Sequence, residues 1–293
     1  MMRRFALFII LLTSCIASPA QPSVNTASQL PAPAATLPKI NSEAQQIDPT
    51  PNLLSIQAPT LPTTPAPLPI DQKAFMLPCS PLQGITIGQL SDLVNNPFQP
   101  PPPGRDDPHY GIDLAITKKG VALAGHPVQA IFSGQVAAII KDRFPYGNAL
   151  LIETQLAGLP SSLIQGQNLA TPPPTIEPHP ALTCPQPPDD LLWEFDRRSL
   201  YILYAHLQNP TPFLLDESVP CSAVLGQIGQ SGNALNPHLH LETRIGPSGA
   251  RFSSMAHYAS SASPEEMSNY CTWRVRGVFQ AIDPLILLSA LSP

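Results

Sequence analysis

Gly232-Asn-Ala-Leu-Asn-Pro-His238-Leu239-His240-Leu241-Glu242 reads as a turn running into a strand. Gly232 and Asn233 are turn formers, and Pro237 is tolerated at a strand's first residue, so the strand is expected to begin beside His238. Successive side chains on a strand point to opposite faces. His238, His240 and Glu242 therefore share one face, while Leu239 and Leu241 enter a core on the other.

A similar arrangement stands far upstream at His109-Tyr110-Gly111-Ile112-Asp113, where an extended chain places His109 and Asp113 on one face and Ile112 and Leu114 on the other. Together the two segments offer two or three imidazoles and one carboxylate. That is the ligand chemistry of a catalytic zinc site, with three protein ligands and an open fourth position. A single His-x-His pair is ordinarily two polar residues on a half-exposed strand; the second cluster is what points to a metal.

Outward from these segments the chain offers short stretches of β character: 114–117, 128–132, 134–140, 149–153, 200–204, 238–244 and, last, 275–282. Turn residues separate them at Lys119-Gly120, Gly125-His126-Pro127, Ser133-Gly134 and Pro145-Tyr-Gly-Asn148. Many short strands without long helical patterns imply a mainly β, antiparallel domain. Before them, Cys79 to Gly88 reads as a short strand with a turn, and Leu90 to Val94 as one helical turn. Residues 156–198 interrupt the pattern with Pro172-Pro-Pro174 and Pro185-Gln-Pro-Pro188 and read as an insertion, with a short helix at Asp189 to Phe195. Asp283-Pro284-Leu285 opens an apolar closing segment.

The chain's 39 prolines in 293 residues far exceed the globular average of about 5%. Eleven of them fall in residues 21–74, a stretch of Pro, Ala, Thr, Ser and Gln that cannot bury enough surface to offset its ordering entropy and reads as a disordered linker. Met1 to Ala20 reads as a secretory signal, two arginines followed by an apolar run too short to span a membrane stably. Leu12-Thr-Ser-Cys15 resembles a bacterial lipobox, which implies lipid on Cys15 and anchoring to a membrane. A domain of residues 75–293 would then work outside the cell. Its four cysteines, Cys79, Cys184, Cys221 and Cys271, are an even number suited to two disulfides, with three connectivities open; a cysteine-zinc site is the competing reading, disfavoured because no pair has close C-x-x-C spacing. A net charge of -5 without a basic block argues against nucleic acid as a partner.

Three elements stand together in order: His109-x-x-x-Asp113, Tyr204-Ala-His206-Leu207, and His238-x-His240 after Gly226-Gln-Ile-Gly-Gln-Ser-Gly232. This set resembles the lysostaphin-like, LytM-type zinc metallopeptidases that cut peptide bonds in bacterial cell walls. The resemblance covers about residues 79–155 and 199–245, with a weaker match at Asp283-Pro-Leu285. It implies the β-sheet or barrel-like domain of that family, of duplicated hybrid motif type, and one zinc ion per chain. It also implies peptidoglycan peptides as substrate; the alternatives are a non-hydrolytic wall-binding or amidase-activating module of the same fold, whose mark would be missing ligands, and an exported peptidase acting on proteins. Carried over, the family pattern makes His109, Asp113 and His240 the zinc ligands, and gives His206 and His238 to catalysis as base and oxyanion group, in an order the sequence leaves open. Tyr204, two residues before His206, is expected on the same strand face, as a substrate contact or oxyanion donor, with plain packing as the equal alternative; Asn148 reads first as a turn residue and second as a substrate contact. Glu242 is placed to orient a ligand, and His126, His179 and His257 lie in turn or linker sequence and read as without function. No His-Glu-x-x-His occurs, so a histidine must replace the usual glutamate base. Two features depart from the family pattern: the long insertion between Asp113 and His206, and Leu241 where phenylalanine is common.

Overall fold

The computed structural model describes residues 76–160, 174–188 and 193–290. The signal, Cys15, all of the linker, residues 161–173 of the insertion and residues 189–192 of the expected short helix lie outside them. In chain order the strands are β1 (Val94–Asn96), β2 (Ile112–Leu114), β3 (Thr117–Lys118), β4 (Val121–Ala122), β5 (Pro127–Gln129), β6 (Gly134–Arg143) and β7 (Gly147–Gln155), followed by β8 (Glu194–Leu207), β9 (Ser218–Val219), β10 (Val224–Gln227), β11 (Leu239–Ser248) and β12 (Gln280–Ile282). Seven of them form one antiparallel sheet in the order β1-β2-β11-β8-β7-β6-β9, and β12 joins β11 beyond the end of β2. β5 pairs with β10. β3 and β4 form a hairpin whose turn residues, Lys119 and Gly120, both have left-handed φ, as a tight hairpin matching strand twist requires.

The long strands are buried on both faces. Leu200, Ile202 and Tyr204 of β8 join a core with Leu82, Leu90, Val128, Leu225 and Leu239. Tyr201, Leu203 and Ala205 join a second core with Phe252, Trp273 and Phe279. This double cover explains why β7 and β11 are buried almost throughout instead of alternating with solvent.

The second face is covered by a helix that the sequence reading missed, α1 (Pro264–Arg274). Ser263 caps it: its side chain accepts from Glu266 N, while Glu266 accepts from Ser263 N, and Pro264 stands at the first helical position. A second short helix, α2 (Pro284–Ser289), forms the closing segment, with Asp283 accepting from Leu285 N at 2.8 Å.

The disulfides are Cys79–Cys221 and Cys184–Cys271, and the latter ties the insertion to α1. Several expected boundaries are corrected. Glu194 and Phe195 begin β8, so the insertion ends earlier than Arg198 and that end of the expected helix is strand. Residues 79–88 hold no strand, because Leu82 makes a single bridge to Val128 and the chain then enters a 3-10 helix at Ile87–Leu93. The expected strand at 128–132 stops at Gln129, since the next backbone groups turn to other partners: Ala130 N donates to Ala223 O and Ile131 N to the Tyr204 hydroxyl.

Candidate metal centre

Strand pairing sets the site. β11 lies between β2 and β8, with His240 directly opposite Asp113 on one side and Ala205 on the other. His109 precedes β2 and is held by paired backbone bonds to Gln99. Three donor atoms meet as a nearly regular triangle: His109 Nε2 to Asp113 Oδ1 3.1 Å, His109 Nε2 to His240 Nδ1 3.0 Å, and His240 Nδ1 to Asp113 Oδ1 2.9 Å. All three residues are buried.

Their outer hydrogen bonds fix which atoms carry lone pairs. His109 Nδ1 lies 2.9 Å from Pro97 O, which only accepts, so the proton sits on Nδ1 and Nε2 is free to ligate. His240 Nε2 lies 3.4 Å from the Glu242 carboxylate, which leaves Nδ1 as the ligating atom. Burial alone would raise the Glu242 carboxyl, but Arg244 and Arg274 outweigh it and hold the group well below the usual range, so it stays an acceptor. Asp113 is likewise held ionised, its burial outweighed by His109 and His240, and Asn96 Nδ2 donates to its second oxygen at 3.0 Å. With both imidazoles neutral, three lone pairs converge at one point and repel one another unless a proton or a metal cation stands among them. Without a metal, burial alone would lower His240, but the Asp113 and Glu242 carboxylates outweigh it and raise the group, the same demand for positive charge met by a proton. Ligands about 2.0–2.1 Å from tetrahedral zinc sit about 3.3 Å apart, close to this triangle. The residues fit zinc.

Two further imidazoles face the triangle. His238 Nδ1 meets Asn236 O at 2.8 Å, and His206 Nδ1 meets Ser231 O at 2.8 Å, so each ring turns an unprotonated Nε2 toward the cleft. The His206 and His238 ring centroids are 4.8 Å apart. Burial first, then the neighbouring His240 and His238, push His206 down to about 3, which keeps its ring neutral.

His206 reaches this position through a bulge. From Tyr204 to Leu207 β8 advances three residues while β7 advances two, from Leu150 to Asn148, and His206 takes φ 61°. A left-handed non-glycine residue costs about 1–3 kcal/mol and persists where its surroundings impose it. Here the bond from His206 N to Tyr146 O and the ring bond to Ser231 O impose it. Gly147 and Gly232, both at positive φ, let the two supporting loops touch; a Cβ on either would overlap the other loop's backbone.

The bulge corrects the expectation for Tyr204. Strict alternation would put Tyr204 beside His206, but the extra residue sends the tyrosine into the core, where it is fully buried and its hydroxyl accepts from Ile131 N at 2.8 Å. Asn148 is a strap: its Oδ1 accepts from Asp142 N and its backbone N donates to Ser231 Oγ. Neither side chain lines the cleft. His257, expected in open linker sequence, is buried.

The cleft has a volume of about 730 Å³, with Asp107, Phe144, Leu235 and Tyr258 around its rim. The wall behind the triangle was not read from the sequence. Tyr146 donates to Glu242 at 3.3 Å, and Arg274 donates to both the Tyr146 hydroxyl (3.1 Å) and Glu242 (3.4 Å). Arg274 also donates twice to Asp106 O, while Tyr258 and Tyr270 donate to Asp106 Oδ2 at 2.5 and 2.8 Å. The spacing of two that exposed His240 and Glu242 carries no trace of these partners, which come from four segments.

Fold and site together describe an antiparallel β domain with a candidate zinc centre of two histidines and one aspartate. No family model matches the chain, and no curated protein matches it. Among solved structures it is similar to the catalytic domain of lysostaphin from Staphylococcus simulans (16% identity, 70% of this chain and 98% of that one, TM-score 0.35). It is also similar to a mutant catalytic domain of the prophage-encoded M23 protein EnpA from Enterococcus faecalis (17%, 54% and 85%, 0.32). A third is a putative peptidase M23 from Pseudomonas aeruginosa (18%, 74% and 54%, 0.32), of which this chain spans about half the length. Likeness at this level carries no residue roles, so the chemistry rests on the side chains themselves.

Proposed function

We propose that this chain is an exported zinc metalloendopeptidase, resembling the lysostaphin-like, LytM-type enzymes, that hydrolyses peptide bonds in bacterial peptidoglycan. The observation that carries the reading is the lone-pair triangle of His109, Asp113 and His240 with the Nε2 atoms of His206 and His238 facing it across an open cleft. Zinc held by the triangle would supply Lewis acidity and a water of lowered pKa. The chain's own residues do the rest. His206 and His238, each pinned at Nδ1 by a carbonyl, present Nε2 to accept a proton from the attacking water, to steady the developing oxyanion once protonated, and to return the proton to the leaving amine. Glu242 and Pro97 O hold the two ligand imidazoles in the ligating tautomer. Export and attachment through lipid on Cys15 belong to the same proposal and are supported by the sequence of Met1 to Ala20.

The test is hydrolysis of purified peptidoglycan by the full chain beside its His206→Ala variant, with zinc determined for both. Release of new amino termini by the wild type alone, with about one zinc in each protein, supports the reading. Zinc-loaded wild type that releases none overturns it.

A further inference from the structure

Behind Tyr258 and Tyr270 of the cleft wall, and outside the residues that line the cleft, a second group of metal-ligating atoms comes together. Cys184, Cys271 and His257 each offer one, all within 4.8 Å of one another. The two sulfurs form a disulfide, and the imidazole beside them is buried. His257 Nε2 lies 2.9 Å from Thr183 O, which only accepts, so the proton is on Nε2 and the lone pair on Nδ1. That Nδ1 has no hydrogen-bond partner. A buried acceptor without a donor is destabilising, having lost its water and gained no partner, and a disulfide has no S–H to offer it. A thiol or a metal ion would satisfy it.

The ring is held by the chain neighbours of both sulfurs. Thr183, just before Cys184, fixes Nε2; Tyr270, just before Cys271, stacks on the imidazole at 5.0 Å between centroids and 26° between planes. Imidazole and sulfurs are therefore positioned as one unit. The Cys79–Cys221 disulfide is different: Cys221 Sγ lies against the backbone carbonyl of Ile131, and among the described residues no histidine groups with it. Cys184 is only partly buried, so a small reductant can reach the bond.

We propose that Cys184, Cys271 and His257 form a second, thiol-dependent metal site that takes a soft divalent cation such as Zn²⁺ or Cd²⁺ once the disulfide is reduced. The S–S bond accepts two electrons and two protons from a dithiol, which leaves as its own disulfide. The cation then displaces both thiol protons and is held by two thiolates and His257 Nδ1, with a fourth tetrahedral position open to water. This site shares no residue with the proposed peptidase centre and stands whether or not that reading holds.

The test is a Cd²⁺ titration of the full chain, reduced by a dithiol and freed of it under inert gas, followed by the ultraviolet charge-transfer absorption of cadmium thiolates. The triangle in the cleft contains no sulfur and is silent in this signal. The reduced wild type is expected to develop the absorption and the oxidised protein to lack it. His257→Gln, which keeps an N–H for Thr183 O, should bind at least about tenfold more weakly. The Cys79→Ser/Cys221→Ser double variant should keep the signal; if it does not fold, the His257→Gln comparison still decides. No absorption in the reduced wild type, or unchanged affinity in His257→Gln, overturns the proposal.

Discussion

The two sides of the cleft are built in different ways. On one side β2, β8 and β11 lie next to each other, so Asp113, His240 and the bulged His206 are set by strand register. On the other, Asp106, Tyr146, Tyr258, Tyr270 and Arg274 arrive from separate segments and are held by one another. The strand side carries the groups suited to chemistry. The far wall fixes the charge and position of Glu242, and through it the ring of His240. Damage to the two sides should therefore read out differently, as lost turnover on the first and lost stability on the second.

The largest effect is expected on the strand side. His206→Ala and His238→Ala should each lower kcat for peptidoglycan hydrolysis by about 10²–10⁴-fold, with about 1–2 kcal/mol lost in unfolding free energy as the ring bonds to Ser231 O and Asn236 O go. A turnover loss matched by an equal loss of stability would merge the two sides.

On the far wall the order reverses. Arg274→Ala leaves Glu242 fully buried with Arg244 as the one arginine paired with it among the described residues, and is expected to cost about 3–5 kcal/mol in denaturant unfolding. Trp273→Ala, deep in the second core against Tyr201, Phe252 and Phe279, should cost about 3–5 kcal/mol without touching the triangle. Arg274→Ala should also weaken zinc retention and Trp273→Ala should not, which separates the wall's electrostatic role from its packing.

A smaller effect lies outside the cleft and calibrates both. Burial alone would raise the Glu153 carboxyl, but hydrogen bonds from Arg251 and Gly249 N outweigh it and lower its pKa. A depressed carboxylate contributes stability above its unfolded pKa, near 4.5, and loses it as pH falls through the folded value. Wild-type unfolding free energy should thus fall more steeply on acidification below about pH 4.5 than that of Arg251→Ala.

The same contrast governs what was legible in the sequence. His109, Asp113, His238 and His240 could be grouped because strand geometry turns a spacing of two or four into a shared face. Tyr204 was misplaced by the same rule, since one inserted residue at His206 reverses the face and leaves no mark in the residue types. The helix carrying Arg274 announced its start in Ser263-Pro-Glu-Glu266 but showed no apolar stripe, because its buried residues, Tyr270, Cys271 and Trp273 among them, follow no clean helical period. Cys184–Cys271 and His257 were beyond reach, as their proximity depends on an insertion folding back onto that helix.

The central claim is the ligand triangle, and zinc content across the wild type and four variants tests it most directly. The account predicts about one tightly held zinc per chain in the wild type, in His206→Ala and in His238→Ala, and its loss in Asp113→Ala and His240→Ala, all five remaining folded. Zinc retained by folded His240→Ala, or lost from His238→Ala, would contradict it.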